Sequence, residues 1–236
     1  MTPQEQWKAV DRYFNDLLIG PDEALDTALR DSAAAGMPNI SVSANQGKLL
    51  HLLALVRGAR HILEIGTLGG YSTIWLARAL PRDGHLITLE ADEKHANVAR
   101  KNIERAGLGD RVELVLGRAL ETLPGIEANP ARQKRGPFDL VFIDADKTNT
   151  AEYFQWSLKL SRRGSLIITD NVVRSGGVID PDSADASVQG VRRFNAMLAA
   201  EKRVTATAIQ TVGSKGYDGF AIALVVADGS PLLRSG

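Results

Sequence analysis

Acidic and amide side chains follow two short apolar runs in the second half of the chain. Asp144 ends the run FDLVFID, and Asp170 and Asn171 end the run SLIITDN. Two carboxylates and one amide oxygen form a set of hard donors, which suits Mg²⁺, Mn²⁺ or Ca²⁺ far better than zinc. A single acid at a strand end can instead cap the next helix. The metal hypothesis therefore depends on all three groups meeting.

Cysteine and histidine chemistry contributes little here. The chain has no cysteine, which excludes disulfides, zinc–thiolate sites, iron–sulfur clusters and thiol catalysis. All four histidines lie outside the acidic cluster, and we expect them to be surface or structural residues: His51, His61, His85 and His95. Oxygen ligands remain the best candidates for any metal.

A glycine-rich loop, residues 66–70, lies between the apolar run HILEI and a helix predicted from about Tyr71. Its glycines let the backbone turn sharply and let a ligand approach the main chain, toward which the free N–H groups of the helix also point. Glu64 stands where the dinucleotide fingerprint G-x-G-x-x-G has its first glycine. An acid there disfavours a pyrophosphate and favours a cationic ligand such as S-adenosylmethionine. The alternative is a tight turn with no ligand.

Glu90 ends the next apolar run, HLITLE. A carboxylate at this position can accept both ribose hydroxyls of an adenosine. The alternative is a solvated acid at a strand end. Ribose recognition alone does not distinguish S-adenosylmethionine from NAD.

The elements that must position these residues alternate from His61 onward. We expect strands at 61–66, 85–90, 111–117, 138–144 and 165–171, and helices at 71–80, 93–106, 118–123 and 150–161. This alternation predicts a parallel sheet that is covered on both faces. In the expected strand order the fourth and fifth strands are neighbours, so the carboxyl ends that carry Asp144 and Asp170 lie side by side.

The last third of the chain follows a different pattern. A helix at 187–201 precedes strands at 204–211 and 219–227, which are joined by the seven residues Val212–Asp218. So short a link has no room for a helical crossover, and the two strands should be antiparallel neighbours. An α/β sheet with five parallel strands and a C-terminal antiparallel hairpin is typical of the Rossmann-like class I methyltransferase fold.

The first 60 residues are predicted to be helical and to cover the cofactor and acceptor. The third of these helices, from about Ala44 to Val56, has its expected buried side at Leu49, Leu50, Leu52, Leu53 and Val56. Residues 61–227 form the expected Rossmann-like core, and 228–236 a frayed tail. No linker or internal repeat divides the chain, which predicts a single domain.

Charge and hydropathy exclude several classes of protein. The 236 residues include 28 Lys and Arg and 28 Asp and Glu, so the formal net charge is zero. This balance argues against a nucleic-acid clamp and against a polybasic membrane binder. No apolar run approaches the roughly 20 residues of a transmembrane helix, and the N-terminus is too polar for a signal peptide. We expect a cytoplasmic protein with no membrane partner.

Three motifs together carry a resemblance to a known family. EIGTLGGYS, FIDADK and ITDN, in this order and spacing, closely resemble the cation-dependent O-methyltransferases of the caffeoyl-CoA and catechol type, over about residues 38–226. The segment SVSANQGKLL resembles the part of that family that folds over the cofactor. The resemblance implies transfer of a methyl group from S-adenosylmethionine to a hydroxyl of a catechol-like small aromatic acceptor. It also implies a homodimer.

The resemblance also implies roles for individual residues. Val42 contacts the cofactor through its main chain, Glu90 binds the ribose and Ala119 lies against the adenine. The methionine end is held by Glu64, Gly66, Thr67 and Ser72.

The remaining implied roles concern the metal and the base. Asp144, Asp170 and Asn171 hold Mg²⁺, or Mn²⁺ or Ca²⁺, with Asp144 also near the cofactor. Lys147 is the general base, which it can be only when neutral, and a nearby dication disfavours its charged form. The alternative for Lys147 is a salt bridge to Asp146, which is otherwise expected to be solvated.

Two departures from the family pattern are visible. Thr150 stands where the family often has an aromatic residue, and residues 162–165 replace a common Pro-Gly-Gly turn. The variable acceptor pocket falls on the N-terminal helices and on the loops Val172–Ser187 and Val212–Asp218.

Three other functions compete with this one. A methyltransferase for a hydroxylated tRNA base could share the cofactor and metal sites, although zero net charge weighs against it. An NAD-dependent oxidoreductase is disfavoured by Glu64. An inactive binding module is disfavoured by the retained set of Asp144, Lys147, Asp170 and Asn171.

Overall fold

The computed structural model describes residues 1–228, which are arranged around a seven-stranded sheet of order β3-β2-β1-β4-β5-β7-β6. The strands are β1 (His61–Ile65), β2 (His85–Glu90), β3 (Val112–Leu116), β4 (Phe138–Ile143), β5 (Ser161–Asp170), β6 (Val204–Gly213) and β7 (Gly216–Val225). The helices are α1 (Pro3–Leu18), α2 (Glu23–Ala34), α3 (Ala44–Arg57), α4 (Tyr71–Arg78), α5 (Glu93–Arg105), α6 (Ala119–Ala128), α7 (Pro130–Arg135), α8 (Thr150–Leu160) and α9 (Ala186–Ala200). Apart from Asp228, the predicted frayed tail lies outside the described residues.

The five strands β1 to β5 run parallel, as predicted. Every residue of β4 is buried, because this central strand is covered on both faces of the sheet. Two core clusters of buried residues lie against the sheet, one including Leu63 and Ile65, and the other Ile62. This fold confirms the predicted class, and it puts the carboxyl ends of β1, β2, β4 and β5 at one edge.

The C-terminal hairpin is antiparallel, as predicted, but its link is shorter than expected. β7 lies between β5 and β6 and runs antiparallel to both. The pairing of β6 with β7 continues through the expected loop 212–218, with the last pairs at Thr211↔Asp218, Val212↔Tyr217 and Gly213↔Gly216. Only residues 214–215 form the turn, because glycine at both ends of the hairpin lets the strands approach to the last pair.

Two further element boundaries differ from expectation. β5 begins at Ser161, so the expected turn at 162–165 is part of the strand, with an irregular register between its pairs with Phe138 and Leu140. The helix expected at 118–123 continues to Ala128 past Pro124, and α7 was not predicted. Both changes lie at the edge of the sheet opposite the acidic cluster.

The N-terminal helices form as predicted, but their apolar faces are only partly buried. α1 has no buried residue. In α3, Leu50 is buried, whereas Leu52 and Val56 are exposed, which corrects the expected buried side. Residues 1–228 contain no helix that is both long enough and apolar enough to cross a membrane.

Candidate active site

One cavity of about 960 Å³ opens at the carboxyl ends of the parallel strands. Nine of the eleven predicted site residues line it: Val42, Gly66, Thr67, Ser72, Glu90, Ala119, Asp144, Lys147 and Asn171. Glu64 and Asp170 do not line it. A cavity of this size at the edge of a parallel sheet fits a cofactor together with a small substrate.

Glu64 is fully buried behind the cavity wall. Its carboxylate accepts hydrogen bonds from Ser72 Oγ at 2.6 Å and Thr88 Oγ1 at 2.7 Å, and also from Thr73 Oγ1. Burial raises the pKa of this carboxyl to about 7, although the three hydroxyl donors oppose the rise. Glu64 therefore acts on the cavity only through its neighbours.

The hydroxyl groups around Glu64 have fixed directions. Thr88 gives its only proton to Glu64, so Thr67 is the donor in the 2.6 Å bond between the two threonine hydroxyls. Ser72 also gives its proton to Glu64, so its lone pairs are left for the cavity it lines. A cationic group of a ligand would therefore find a hydrogen-bond acceptor in Ser72. The site still favours a positive ligand, as predicted, but the contact is made by Ser72 and not by Glu64.

Gly66 brings the loop after β1 against the end of β4. Its φ of +100° lies in the region that favours glycine, and a Cβ there would stand 2.1 Å from the carbonyl oxygen of Asp144. Asp144 N donates to Ile65 O at 2.9 Å, so the two segments continue side by side beyond their strands. Glycine at this position keeps the cavity floor in place.

Glu90 and its neighbours form the end of the cavity away from the acidic cluster. The carboxylate accepts from Leu68 N at 2.7 Å and from Asp92 N at 3.0 Å. His95 lies close by, with Nδ1 3.6 Å from Glu90 Oε1. His95 also lines the cavity at this end, far from the acidic cluster, as the sequence predicted. Ala119, at the start of α6, belongs to the same wall.

Lys147 lies on the cavity wall beside Asp144. Its Nζ donates to Asp144 Oδ1 at 2.7 Å, and the lysine side chain is only 11% exposed. The considered salt bridge to Asp146 is not formed. Asp146 accepts instead from Thr148 Oγ1 at 2.9 Å, from Asn149 and from Tyr153. Asp146 is thus an exposed acid, as expected, whose carboxylate is held by these three donors at the cavity wall.

Asp170 and Asn171 complete the predicted donor set at the end of β5. Burial raises the pKa of Asp170 to about 7, and the charge of Asp144 adds to the rise. Asn171 has a left-handed backbone with φ of 59°, and its N–H donates to Asp170 Oδ1 at 2.8 Å. A buried acid that is repelled by a second acid on the cavity wall, with an amide beside them, has the chemistry of a divalent-cation site.

This donor set has two carboxylates and one amide. No group of three or more His, Cys, Asp or Glu side chains able to hold a metal occurs in the described part of the chain. A cation held here would therefore need the amide oxygen of Asn171 as a third protein ligand. Its remaining ligands would be oxygen atoms that do not belong to these side chains.

Several cavity residues were not singled out in the sequence, namely Ile40, Tyr71 and Tyr153. Ser41, Leu68 and Arg174 also line the cavity, and they lie in segments that were expected at the cofactor or the acceptor. Gly190 of α9 does not line the cavity, but a Cβ there would stand 2.2 Å from the carbonyl oxygen of Lys147. This glycine lets α9 pack directly on the segment that carries the lysine. A glycine within an amphipathic helix was the available sign of such a close approach.

Known proteins resemble this chain over most of its length. A family model described as O-methyltransferase matches residues 21–224. A catechol O-methyltransferase of Niastella koreensis is 57% identical over 219 residues, which cover 93% of this chain and 97% of that protein. A catechol O-methyltransferase of Mycobacterium tuberculosis is 54% identical over 216 residues, covering 92% and 94%. An O-methyltransferase of Bacillus cereus, solved in complex with SAH, has a TM-score of 0.91 at 59% identity, covering 94% and 99%.

Proposed function

Because the chain belongs to the O-methyltransferase family, we propose that it transfers the methyl group of S-adenosylmethionine to one hydroxyl of a catechol-like aromatic molecule. The observation that carries this proposal is the contact between Lys147 and Asp144. Both residues lie on the cavity wall, as does Asn171. The similar proteins named catechol O-methyltransferase, and the SAH-bound relative, support the acceptor and the cofactor. The family match bears out the resemblance inferred from the three motifs.

The cofactor is proposed to occupy the cavity from Glu90 to Asp144. Glu90 binds the ribose hydroxyls, and Ala119 packs against the adenine. The methionine end lies at the loop 66–72, where the outward lone pairs of Ser72 accept from its ammonium group. Val42 closes the cavity from the segment before α3, where it is buried and lines the wall.

The chemical step is a displacement at the methyl carbon. The acceptor oxygen forms a bond to that carbon while the carbon–sulfur bond breaks, and the sulfonium leaves as a neutral thioether. Lys147, in its neutral form, takes the hydroxyl proton at Nζ. Asp144 lies 2.7 Å away and stabilises the ammonium that results. Binding of both reactants in one cavity accelerates the reaction further, because it holds them close together in a fixed orientation.

A divalent cation is proposed to be held by Asp144, Asp170 and Asn171. A phenol has a pKa of about 10, and such a cation, when bound, stabilises the phenolate and orients two adjacent oxygens. The repulsion between buried Asp170 and the neighbouring Asp144 on the cavity wall supports this assignment. We take the ion to be Mg²⁺, with Mn²⁺ and Ca²⁺ as the other candidates.

The first experiment tests the metal. We expect methylation of catechol by the purified protein to stop with a chelator and to recover with Mg²⁺, while phenol, with one hydroxyl, is not methylated. Undiminished turnover of catechol in excess chelator contradicts the metal assignment.

The second experiment tests the base. Lys147→Met should lower kcat by about 10²- to 10⁴-fold, while the affinity for S-adenosylhomocysteine measured by calorimetry stays within about threefold of wild type. Lys159→Met is the matched control, because it breaks an ion pair of the same 2.7 Å length, with Glu127, on the surface. A kcat for Lys147→Met equal to that of this control removes the lysine from the mechanism.

The other expectations remain proposals. Exposed apolar side chains on α1, such as Tyr13, Leu17 and Leu18, support a homodimer, which light scattering of the purified protein tests. Methylation of a hydroxylated tRNA base is the second hypothesis for the same cofactor and metal sites. A gel shift with tRNA across a salt titration distinguishes the two acceptors.

A further inference from the structure

Arg174 places a cation on the cavity wall at the end that holds Asn171. The basic side chains that line the cavity are those of His95, Arg118, Lys147 and Arg174. His95 lies against Glu90, and Arg118 immediately precedes Ala119, so both belong to the opposite end. Lys147 is paired with Asp144. Arg174 is therefore the cation at the acceptor end that the proposed methyl transfer does not use.

The guanidinium of Arg174 makes only a loose ion pair and no hydrogen bond within residues 1–228. Asp218 Oδ2 lies 4.0 Å from Nη1, which is longer than a hydrogen bond. Nε is buried and finds no hydrogen-bond partner anywhere in residues 1–228. The side chain is 30% exposed, so its charge is only partly hydrated. The exposed part of the guanidinium is the part that a ligand can reach, and an acceptor group there gains a charge-assisted hydrogen bond.

Asp218 serves the backbone of the loop rather than the arginine side chain. Its Oδ1 accepts from the N–H groups of Val173 at 3.0 Å, of Arg174 at 3.0 Å and of Gly219 at 2.9 Å. Ser175 Oγ also donates to Tyr217 O at 3.2 Å. The loop after β5 is thus fixed by β7 without using the guanidinium.

The backbone of this loop is held in an uncommon conformation. Asn171, Arg174 and Ser175 have φ of 59°, 54° and 53°, although none is glycine. Each such residue costs on the order of 1 kcal/mol or more, and such residues persist where the surrounding structure over-determines them. Here the bonds to Asp218 hold the conformation, and Arg174 is among the residues that line the cavity.

We propose that Arg174 determines acceptor specificity by binding a carboxylate on the acceptor, so that the preferred substrates are catechols that carry an acidic group. This inference rests on the proposed function, since it assigns the substrate class of the same site. The planar guanidinium with its five N–H donors matches a carboxylate in geometry as well as in charge. The hydroxyls of the same ring face Lys147.

The test compares two acids with their neutral methyl esters, which keep the same catechol ring. Protocatechuate and caffeate, and the methyl ester of each, are assayed with wild type, Arg174→Met and Arg174→Lys. In Arg174→Met we expect kcat/KM for at least one acid to fall about 10- to 100-fold, while both esters stay within about threefold. Arg174→Lys should recover part of the loss, because it keeps the charge without the planar fork.

The same acids and esters are also titrated by calorimetry into each protein saturated with S-adenosylhomocysteine. This measures their affinities without methyl transfer. The matched control is Arg163→Met, which removes an exposed arginine near the far end of β5. Equal losses for acid and ester, or no loss for either acid, overturn the proposal. If wild type binds the acids more tightly than the esters but methylates none of the four, the carboxylate site stands and the proposed function fails.

Discussion

The buried carboxyl of Glu64 makes the stability of the protein depend on pH near neutrality. Its pKa is about 7 in the folded chain, because burial disfavours the charged form, against an ordinary value of 4.5. The folded state therefore holds this proton more tightly than the unfolded state does. The stabilisation is complete below pH 4.5 and is lost as the pH rises through about 7.

The size of this effect follows from the two pKa values. At about 1.4 kcal/mol per pH unit, the full range between 4.5 and about 7 corresponds to about 3 kcal/mol. Between pH 5 and pH 8 the loss is about 2 to 3 kcal/mol. Glu64→Gln has the same shape and no charge to lose, so its free energy of unfolding should lack this part of the pH dependence.

The assay is urea denaturation of wild type and Glu64→Gln at pH 5, 6, 7 and 8, followed by tryptophan fluorescence. The difference in unfolding free energy between the two proteins should change by about 2 to 3 kcal/mol across this range, in favour of the variant at high pH. Asp170 also titrates near neutrality, but its effect is present in both proteins and cancels in the difference. Glu104→Gln, at an exposed position, should show no such change. A pH-independent difference for Glu64→Gln refutes the reasoning.

Four further outcomes follow from the structure. In Glu64→Gln, an amide nitrogen in place of Oε1 turns the serine hydroxyl of the cavity wall outward, so calorimetric affinity for S-adenosylhomocysteine should fall about tenfold. Gly66→Ala should lose at least about 2 kcal/mol of stability together with cofactor binding, because its Cβ meets a backbone carbonyl at 2.1 Å. Gly20→Ala, with a similar φ of +72° and open space, should lose only about 1 kcal/mol and bind normally in the same melts and titrations. Burial alone would raise the pKa of Asp139. Hydrogen bonds from two backbone N–H groups and from an arginine have the larger combined effect, so the pKa is lowered overall. Its stabilisation is therefore present above the ordinary value of 3.8 and is lost in acid, so Asp139→Asn should cost about 3 kcal/mol at pH 7 and much less near pH 3 in urea titrations. Gly190→Ala should lower kcat several-fold without changing cofactor affinity, because it displaces the segment of the proposed base; unchanged kcat would show that the close approach of α9 is not needed.

The sequence predicted correctly the location of those site residues whose position follows from the order of the strands. The ends of β4 and β5 meet because parallel neighbours share an edge, so Asp144 and Asn171 could be placed from their runs alone. Glu64 was harder, because a strand buried on both faces does not show by its pattern which side chain reaches a ligand. The carboxylate lies behind the wall, and Ser72 makes the contact instead.

Other features were only partly visible in the sequence. Arg174 lies in the loop 172–187 that was expected at the acceptor pocket, but its own place on the wall depends on a left-handed backbone and on bonds to Asp218, 44 residues later. The exposure of Leu52 and Val56 could not be read from their apolar character, because hydropathy does not tell which apolar faces the fold leaves uncovered. The hairpin link was overestimated because strands can continue to the last pair before a two-residue turn.

The antiparallel course of β7 has a consequence for how the molecule is made. Reversal of this strand brings its first residues, Tyr217 and Asp218, to the edge where β4 and β5 end. The bonds of Glu64 lie within residues 64–88, so that part of the cavity wall is available early during synthesis on the ribosome. The loop that carries Arg174 acquires its two bonds to the carboxylate of Asp218 only after the last strand has emerged and paired. A nascent chain can therefore build the cofactor end of the cavity before it can build the acceptor end.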